Sequence, residues 1–157
     1  MLTKWYLGIK IPKRGGEKII NLFGISEMLS LAFHSMVLVA SANEKEYLNV
    51  KDIAAKLNAS EAHLAKVMQR LSKFGLLHSV RGPKGGFILA KSPDEITLYD
   101  IYEAVEGPFS ENTCPLGYDK KCYFKSCIFD GILEKLSSEF LMFLKSKKLS
   151  EYVGKIK

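Results

Sequence analysis

The sequence predicts a mainly α-helical chain that carries one small β-hairpin, an α+β fold. Apolar residues recur at helical spacing over most of the chain beyond residue 24. Two short apolar runs flank one glycine-rich turn, which is the pattern of a hairpin. With 157 residues, 47% of them hydrophobic and 25% charged, the chain has the composition of one globular domain, alone or with an appendage.

The predicted elements follow one another without an internal repeat. Residues 1–19 form a basic N-terminal extension, either a mobile arm or an extra edge strand. A helix over residues 25–42 is apolar on nearly every face, so we expect it to be buried or to contact another subunit. Two amphipathic helices follow at residues 50–57 and 60–74, joined by a tight turn at residues 58–59.

Local signals mark the boundaries of the second half of this unit. Ser60 can cap its helix by accepting hydrogen bonds from the free amides of the first turn. Gly75 ends that helix, because glycine adopts a left-handed conformation at low cost. Residues 76–80 and 87–90 are then predicted as antiparallel strands around the turn at residues 81–86.

The remainder of the chain is predicted to hold two helices and a loop between them. Thr97 can cap a short helix that ends before Gly107. A loop at residues 110–128 contains all three cysteines. The last helix spans residues 130–147, and its apolar residues have the 3-4-3 spacing of a helix that packs along a partner helix. These residues are Leu133, Leu136, Phe140 and Phe143.

Charge is distributed in blocks along the chain, whose net charge is +6. Residues 1–24 carry five basic side chains and one acid, and residues 60–91 carry six basic side chains and one acid. Residues 92–113, in contrast, contain six acids and no base. Basic blocks attract polyanions, and nucleic acid is the first candidate.

Helix, short turn, second helix and a glycine-tipped hairpin together predict a winged helix-turn-helix. In this fold the second helix enters the major groove of DNA while the hairpin, or wing, reaches the backbone or the minor groove. The first turns of that helix are the candidates for base contacts, its basic end for phosphate contacts, and the wing tip for the flanking groove. The candidate DNA-binding residues are Ser60, Glu61, Ala62, His63, Lys66, Arg70, Lys73, Arg81, Gly82, Lys84 and Gly85.

Several stretches resemble the IscR/NsrR-type (Rrf-type) winged helix-turn-helix transcription regulators. They are DIAAKL from Asp52, HLAKVMQRLSKFGLLHSV from His63, the wing RGPKGGFILAKSP from Arg81, and ITLYDIYEAVEG from Ile96. The resemblance covers about residues 22–153 and implies a homodimeric regulator that binds an operator. It also implies that the long C-terminal helix is a dimerisation helix and that the cysteine loop can hold an iron–sulphur cluster.

The resemblance divides the chain into five parts. They are the N-terminal extension at 1–19, the DNA-binding domain at 20–93, a connecting helix at 94–109, the cysteine loop at 110–128, and the dimerisation helix and tail at 129–157.

The cysteine loop is the candidate metal site. Cys114, Cys122 and Cys127 are separated by seven and four residues, and thiolates are the soft ligands of iron–sulphur clusters such as [2Fe–2S]. Zinc is a second possibility, because Cys122 and Cys127 have the spacing of a zinc pair. A disulfide switch is a third, and inert free thiols are a fourth.

A cluster of this kind needs a fourth protein donor. The resemblance points first to His34, contributed by the partner subunit, and second to Asp130; an exogenous ligand is third. Asp130 can instead cap the last helix, and we favour that interpretation. His34 lies on an otherwise apolar helix, where a histidine is more often a core residue than a ligand.

Other function classes have less support. The first thirty residues contain no signal-peptide pattern and no apolar run reaches the length of a membrane span, so we expect a cytoplasmic protein without a membrane partner. The sequence has no Cys-x-x-Cys, His-Glu-x-x-His or phosphate-loop motif, and we predict neither enzymatic activity nor a small-molecule substrate. A protein-interaction adaptor on the same fold, with thiols that control its partner, stays open, as does, less favoured, a small redox or metal enzyme.

Overall fold

The computed structural model describes residues 25–42, 46–82, 85–110 and 123–155, and the backbone of residues 5–6 and 9–10. Its helices are α1 (Glu27–Ser41), α2 (Val50–Leu57), α3 (Glu61–Lys73), α4 (Leu98–Glu106) and α5 (Ile132–Ser146), with a 3-10 turn at Leu149–Tyr152. Its strands are β1 (Trp5–Tyr6), β2 (Ile9–Lys10), β3 (Leu77–Val80) and β4 (Gly86–Leu89). The predicted fold class, helices with one small hairpin wing, is confirmed.

Helix α1 lies at the centre of the structure. It packs against α2, α3, α4, β4 and the 3-10 turn. Ser26 caps it by accepting a hydrogen bond from the backbone N–H of Leu29 at 3.0 Å. The predicted burial of this helix is confirmed. Its buried residues are Leu29, Leu31, Ala32, Ser35, Met36, Leu38 and Val39.

Helices α2 and α3 form the predicted helix-turn-helix. Asn49 caps α2 by accepting from the Asp52 N–H at 2.9 Å, and Asn58 ends it in a left-handed conformation with φ of 50°. The predicted core face of α3 is buried. The prediction that the Ser60 side chain caps α3 is wrong: Ser60 occupies the N-cap position, but its hydroxyl makes no capping bond and the residue is exposed to water.

The wing is held against the segment that precedes α2. Strands β3 and β4 pair antiparallel, with Val80 opposite Gly86. The Phe87 N–H donates to the Leu48 carbonyl at 3.0 Å. A Cβ atom at Gly86 would lie 2.7 Å from that same carbonyl, so only glycine allows the wing to approach this closely.

The described part of the N-terminal extension is a minimal hairpin. Trp5 pairs with Lys10 and Tyr6 with Ile9. In the part of the chain that the structure describes, β1 pairs with β2 and not with the wing sheet. The prediction of an extra edge strand is therefore wrong for these residues.

The ends of α4 and α5 differ in how they are capped. Thr97 and Asp100 form a reciprocal capping box at α4, with the Asp100 N–H donating to Thr97 Oγ1 at 3.1 Å and the Thr97 N–H to Asp100 Oδ2 at 2.7 Å. Helix α5 begins after Gly131, the residue in the N-cap position. Asp130 precedes it with φ of 46°, so its predicted role as the helix cap is wrong.

None of the described helices is both long and apolar enough to cross a membrane.

The two N-caps predict different costs of truncation. Thr97→Ala removes a capping box and should lower the free energy of unfolding by about 1 kcal/mol. Ser60→Ala removes a hydroxyl without a capping bond and should cost only a few tenths of that amount. Urea denaturation of both variants measures the difference, and equal losses would contradict the assigned caps.

Candidate DNA-binding surface and cysteine loop

The exposed side of α3 carries the candidate recognition residues. Glu61, Ala62 and Lys66 are exposed in its first two turns, and Lys73 is exposed at its end. Among the described residues, no ion pair or hydrogen bond engages the Lys66 ammonium. His63 is half-buried, and its Nδ1 lies 3.6 Å from Glu27 Oε1 of α1. The first two turns of α3 therefore present one free cation and several small or polar side chains to a ligand.

Arg70, in contrast to Lys66, is bonded to other residues of the protein. Its guanidinium Nη1 donates to the Val105 carbonyl in the last turn of α4, and it lies 3.2 Å from Met28 Sδ in α1. This contact within the protein holds the charged end of the side chain. One guanidinium nitrogen of the exposed Arg70 is thus engaged within the protein, and the predicted contact of Arg70 with a DNA phosphate stays a prediction.

The wing tip is shaped by its glycines. Arg81 and Gly82 are exposed, and Gly82 has φ of 125°. The Gly85 N–H donates to the Gly82 carbonyl at 2.9 Å. A Cβ atom at Gly85 would lie 2.1 Å from the Val80 carbonyl oxygen, which excludes larger residues from this turn. Lys84 lies outside the described residues.

Only part of the cysteine loop can be located. Cys114 and Cys122 lie outside the described residues, whereas Cys127 is exposed with a free thiol. The apolar side chains beside it are also exposed, with Tyr123 at 96% and Ile128 at 92%. The described residues contain no group of three potential metal ligands, so the predicted cluster ligands are not tested by the structure.

His34 is not a core residue. It is exposed on α1, and its Nδ1 lies 2.7 Å from the Ser30 carbonyl oxygen. This contact with the preceding helical turn involves Nδ1, and no described hydrogen bond involves Nε2. The alternative interpretation of His34 as a core residue is wrong, and the ring is accessible.

His34 lines an apolar groove of about 860 Å³ between α1, α5 and the 3-10 turn. Phe33 and Val37 of α1 form one wall, and Phe140 and Phe143 of α5 form another. Along α5 only Leu144 is buried, while Met142 is 60% exposed. The terminal helix thus keeps much of its apolar surface uncovered within one chain.

Comparison with known proteins identifies the family. Residues 25–155 match the model of Rrf2, described as an iron-dependent transcriptional regulator. The chain belongs to the Rrf2 family. An HTH-type transcriptional regulator of Aquifex aeolicus is 36% identical over 114 residues, which cover 71% of this chain and 79% of that protein. The regulator NsrR of Bacillus licheniformis is 30% identical over 119 residues, 75% of this chain and 83% of NsrR.

Solved structures show the same fold. CymR of B. subtilis, called the global cysteine regulator, superposes with a TM-score of 0.68 at 25% identity, over 85% of this chain and 98% of CymR. IscR of T. potens superposes with a TM-score of 0.62 at 25% identity, over 80% of this chain and 82% of IscR. This Rrf2 chain therefore has the winged helix-turn-helix fold and belongs with DNA-binding transcription regulators.

An aromatic cluster that the sequence analysis missed joins α4, α5 and Phe109, the residue that precedes the cysteine loop. Phe109 lies 5.5 Å from the ring centroid of Tyr102 and 6.3 Å from that of Phe140. Burial raises the pKa of the Tyr102 phenol, and the nearby Glu106 and Tyr99 raise it further. The aromatic spacing in the sequence was visible, but nothing in it showed that Phe109 turns back onto α4.

The raised pKa of Tyr102 predicts a pH effect on stability. A raised pKa in the folded state means that the neutral phenol is favoured there, so the associated stability is present below pH 10 and is lost as the pH rises through the folded-state pKa. Tyr102→Phe cannot ionise and should match the wild type at pH 7 but lose less stability between pH 9 and 11. Denaturation of both proteins at each pH measures this difference, and equal losses of the free energy of unfolding between pH 9 and 11 would contradict the prediction.

Proposed function

We propose that this Rrf2 chain is a homodimeric transcription regulator that binds a pseudo-palindromic operator and senses its signal through the cysteine loop. The observation that carries the proposal is the free Lys66 on the exposed face of α3, in a chain whose family consists of transcriptional regulators. An uncompensated cation on a helix-turn-helix recognition helix has a polyanion as its natural partner.

DNA recognition would be divided between the helix and the wing. The first turns of α3 would enter the major groove, with Ser60, Glu61, Ala62 and His63 near base edges and Lys66 at base or phosphate. Lys73 would contact phosphate beyond them. Arg81, exposed beside Gly82, would reach a flanking minor groove, where a narrow A·T-rich segment attracts arginine.

The uncovered apolar surface supports a dimer. A second copy of α5 would cover the groove between α1 and α5 and the exposed apolar side chains of the terminal helix, removing that surface from water. In such a dimer the two recognition helices would be related by a two-fold axis. The operator half-sites would then lie about one helical turn apart.

The donor set fits an iron–sulphur cluster. Cys114, Cys122 and Cys127 would supply three soft thiolates, and the exposed Cys127 thiol is open to a metal. His34, accessible on the wall of the groove that a second copy would cover, would supply the fourth donor across the subunits, and Asp130 is the less favoured alternative. A [2Fe–2S] cluster would give the loop a redox- and ligand-sensitive group. The three cysteines would hold the cluster, and His34 would link the presence of the cluster to the dimer.

A second candidate uses the thiols without a cluster. Similarity to CymR, a cysteine regulator also solved in an oxidised form from Staphylococcus aureus, supports a switch based on thiol state. In this form the exposed Cys127 would be the reactive group. An external two-electron oxidant such as a peroxide would join it to another cysteine of the loop, the two thiols losing two electrons and two protons as the peroxide is reduced. Zinc at the same thiols is a third possibility.

The DNA-binding assignment predicts a change in salt dependence. Lys66→Ala should weaken binding to a duplex that the wild type selects from a randomised pool, and should shallow the slope of log K against log salt by about 0.9 if Lys66 meets one phosphate. Lys135→Ala, which removes an exposed lysine from α5, is the matched control and should leave the slope unchanged. Identical slopes for all three proteins would remove Lys66 from the interface.

The wing assignment predicts a sequence-dependent loss. Arg81→Ala should weaken binding by about tenfold on duplexes with A·T-rich flanks, and by clearly less on duplexes with G·C-rich flanks, because the narrow minor groove is lost in the latter. Fluorescence anisotropy with the two duplexes measures this ratio. An equal loss on both would show that Arg81 does not read groove width.

The cluster assignment predicts a metal content. Protein purified without oxygen should contain iron and acid-labile sulphide in near-equal amounts, and Cys127→Ala should lose both. Stoichiometric zinc would support the zinc site instead, and absence of iron, sulphide and zinc would leave the thiol switch.

A further inference from the structure

The last turns of α3 and α4 meet at one side chain. Arg70 lies three residues before the end of α3, and its guanidinium donates to the carbonyl of Val105, one residue before the end of α4. The side chain is part of the exposed face of α3, yet its charged end is directed to another helix. The hydrogen bond from Arg70 to Val105 is thus the described polar contact between the recognition helix and α4.

Electrostatics favours this contact. The last turn of α4 contains no basic residue, although a helix C-terminus is stabilised by a cation. Instead it holds the acids Glu103 and Glu106, which line a cleft together with Arg70 and Lys73. Arg70 therefore supplies, from a different helix, the positive charge that α4 lacks.

Helix α1 joins the same junction. The Ser26 hydroxyl, which caps α1, donates to Glu106 Oε1, and Met28 Sδ accepts from Arg70 Nη1 at 3.2 Å. Contacts to α1 and α3 therefore converge on the final two residues of α4. A shift of this end of α4 would alter both.

The same end of α4 leads directly into the cysteine-bearing part of the chain. Gly107 ends the helix with φ of 86°, and Phe109 packs on Tyr102 and Phe140. Only two residues separate the Val105 carbonyl from Pro108. The carbonyl to which Arg70 is bonded therefore lies close in sequence to the start of the cysteine loop.

We propose that Arg70 is a positioning residue that transmits the state of the cysteine loop to the recognition helix, through its bond to the Val105 carbonyl. Its use in regulation rests on the proposed function, whereas the mechanical link does not require DNA. When the end of α4 moves, the last turn of α3 moves with it, and the fit of α3 to its operator changes. Arg70 acts on DNA through the helix and not by contact with phosphate.

The chain offers a selective perturbation of the loop, because its three cysteines all lie at residues 114–127. N-ethylmaleimide, applied to metal-free reduced protein, would therefore modify this loop alone. Amide hydrogen exchange of residues 68–73 is measured before and after modification, along with affinity for the selected duplex. In the wild type we expect both to change by about fivefold, the lower range of allosteric coupling.

Three variants test whether the response of α3 to modification of the cysteine loop depends on the hydrogen bond from Arg70. Arg70→Met keeps an unbranched stem and removes the donor, so the response to maleimide should fall to less than about twofold. Gln69→Met changes an exposed polar residue of the same helix that has no described bond to α4, and should respond as the wild type does. Arg70→Lys retains a charge and a donor and should recover part of the response.

The outcomes are distinct. A wild-type-like response in Arg70→Met, or no response in the wild type after modification of the three thiols, would overturn the proposal. So would a salt slope in Arg70→Met as shallow as that of Lys66→Ala, because it would make Arg70 a phosphate contact. A wild-type protein that binds no duplex would refute the proposed function. The link between the cysteine loop and α3 would then be judged by hydrogen exchange alone, because that measurement needs no DNA. If Arg70→Met is unfolded, Arg70→Lys is compared with Gln69→Met instead, and a full wild-type response in Arg70→Lys would overturn the proposal.

Discussion

The burial of α1 is the constraint on which the rest of the structure depends. A helix that is apolar on nearly every face must be covered on all sides, and α2, α3, α4, β4 and the 3-10 turn each cover part of it. The recognition helix and the wing are thereby held against one common support. Where the chain itself does not complete this cover, between α1 and α5, the apolar groove remains. The same demand for burial accounts for the DNA-binding unit and for the surface that we assign to a second copy.

Basic and acidic residues lie in separate blocks of the sequence, and the fold brings part of one block against part of the other. The basic block places Lys66 on a free surface, where it is available to a polyanion, while the acidic block forms the end of α4. Because α3 and α4 pack together, one cation of the basic block, Arg70, is drawn inward to that end. Residues of one charge on one helix thus have different roles, according to which side of the helix meets the neighbouring element.

Local patterns predicted the elements well, and long-range contacts account for what they missed. The bounds of α2 agree with the predicted helix, and the cap at Thr97 could be predicted because an N-cap depends on residues within one turn. The reciprocal bond from Asp100 was not predicted. Ser60 has the extended backbone of an N-cap residue, but its side chain makes no capping bond, which the residue type alone does not determine. The cap at Asp130 failed because the backbone of Asp130 and of Gly131 is left-handed. The contact of Arg70 with Val105 spans 35 residues, and no pattern along the sequence encodes it.

The central claim is that two copies of this Rrf2 chain bind one DNA duplex through paired recognition helices. Sedimentation of the protein with a duplex selected from a random pool tests this most directly, because it measures the mass of the complex. Two chains per duplex, formed at low salt and lost as salt rises, is the predicted result. A complex with one chain per duplex, or the absence of any complex at low salt, would contradict it.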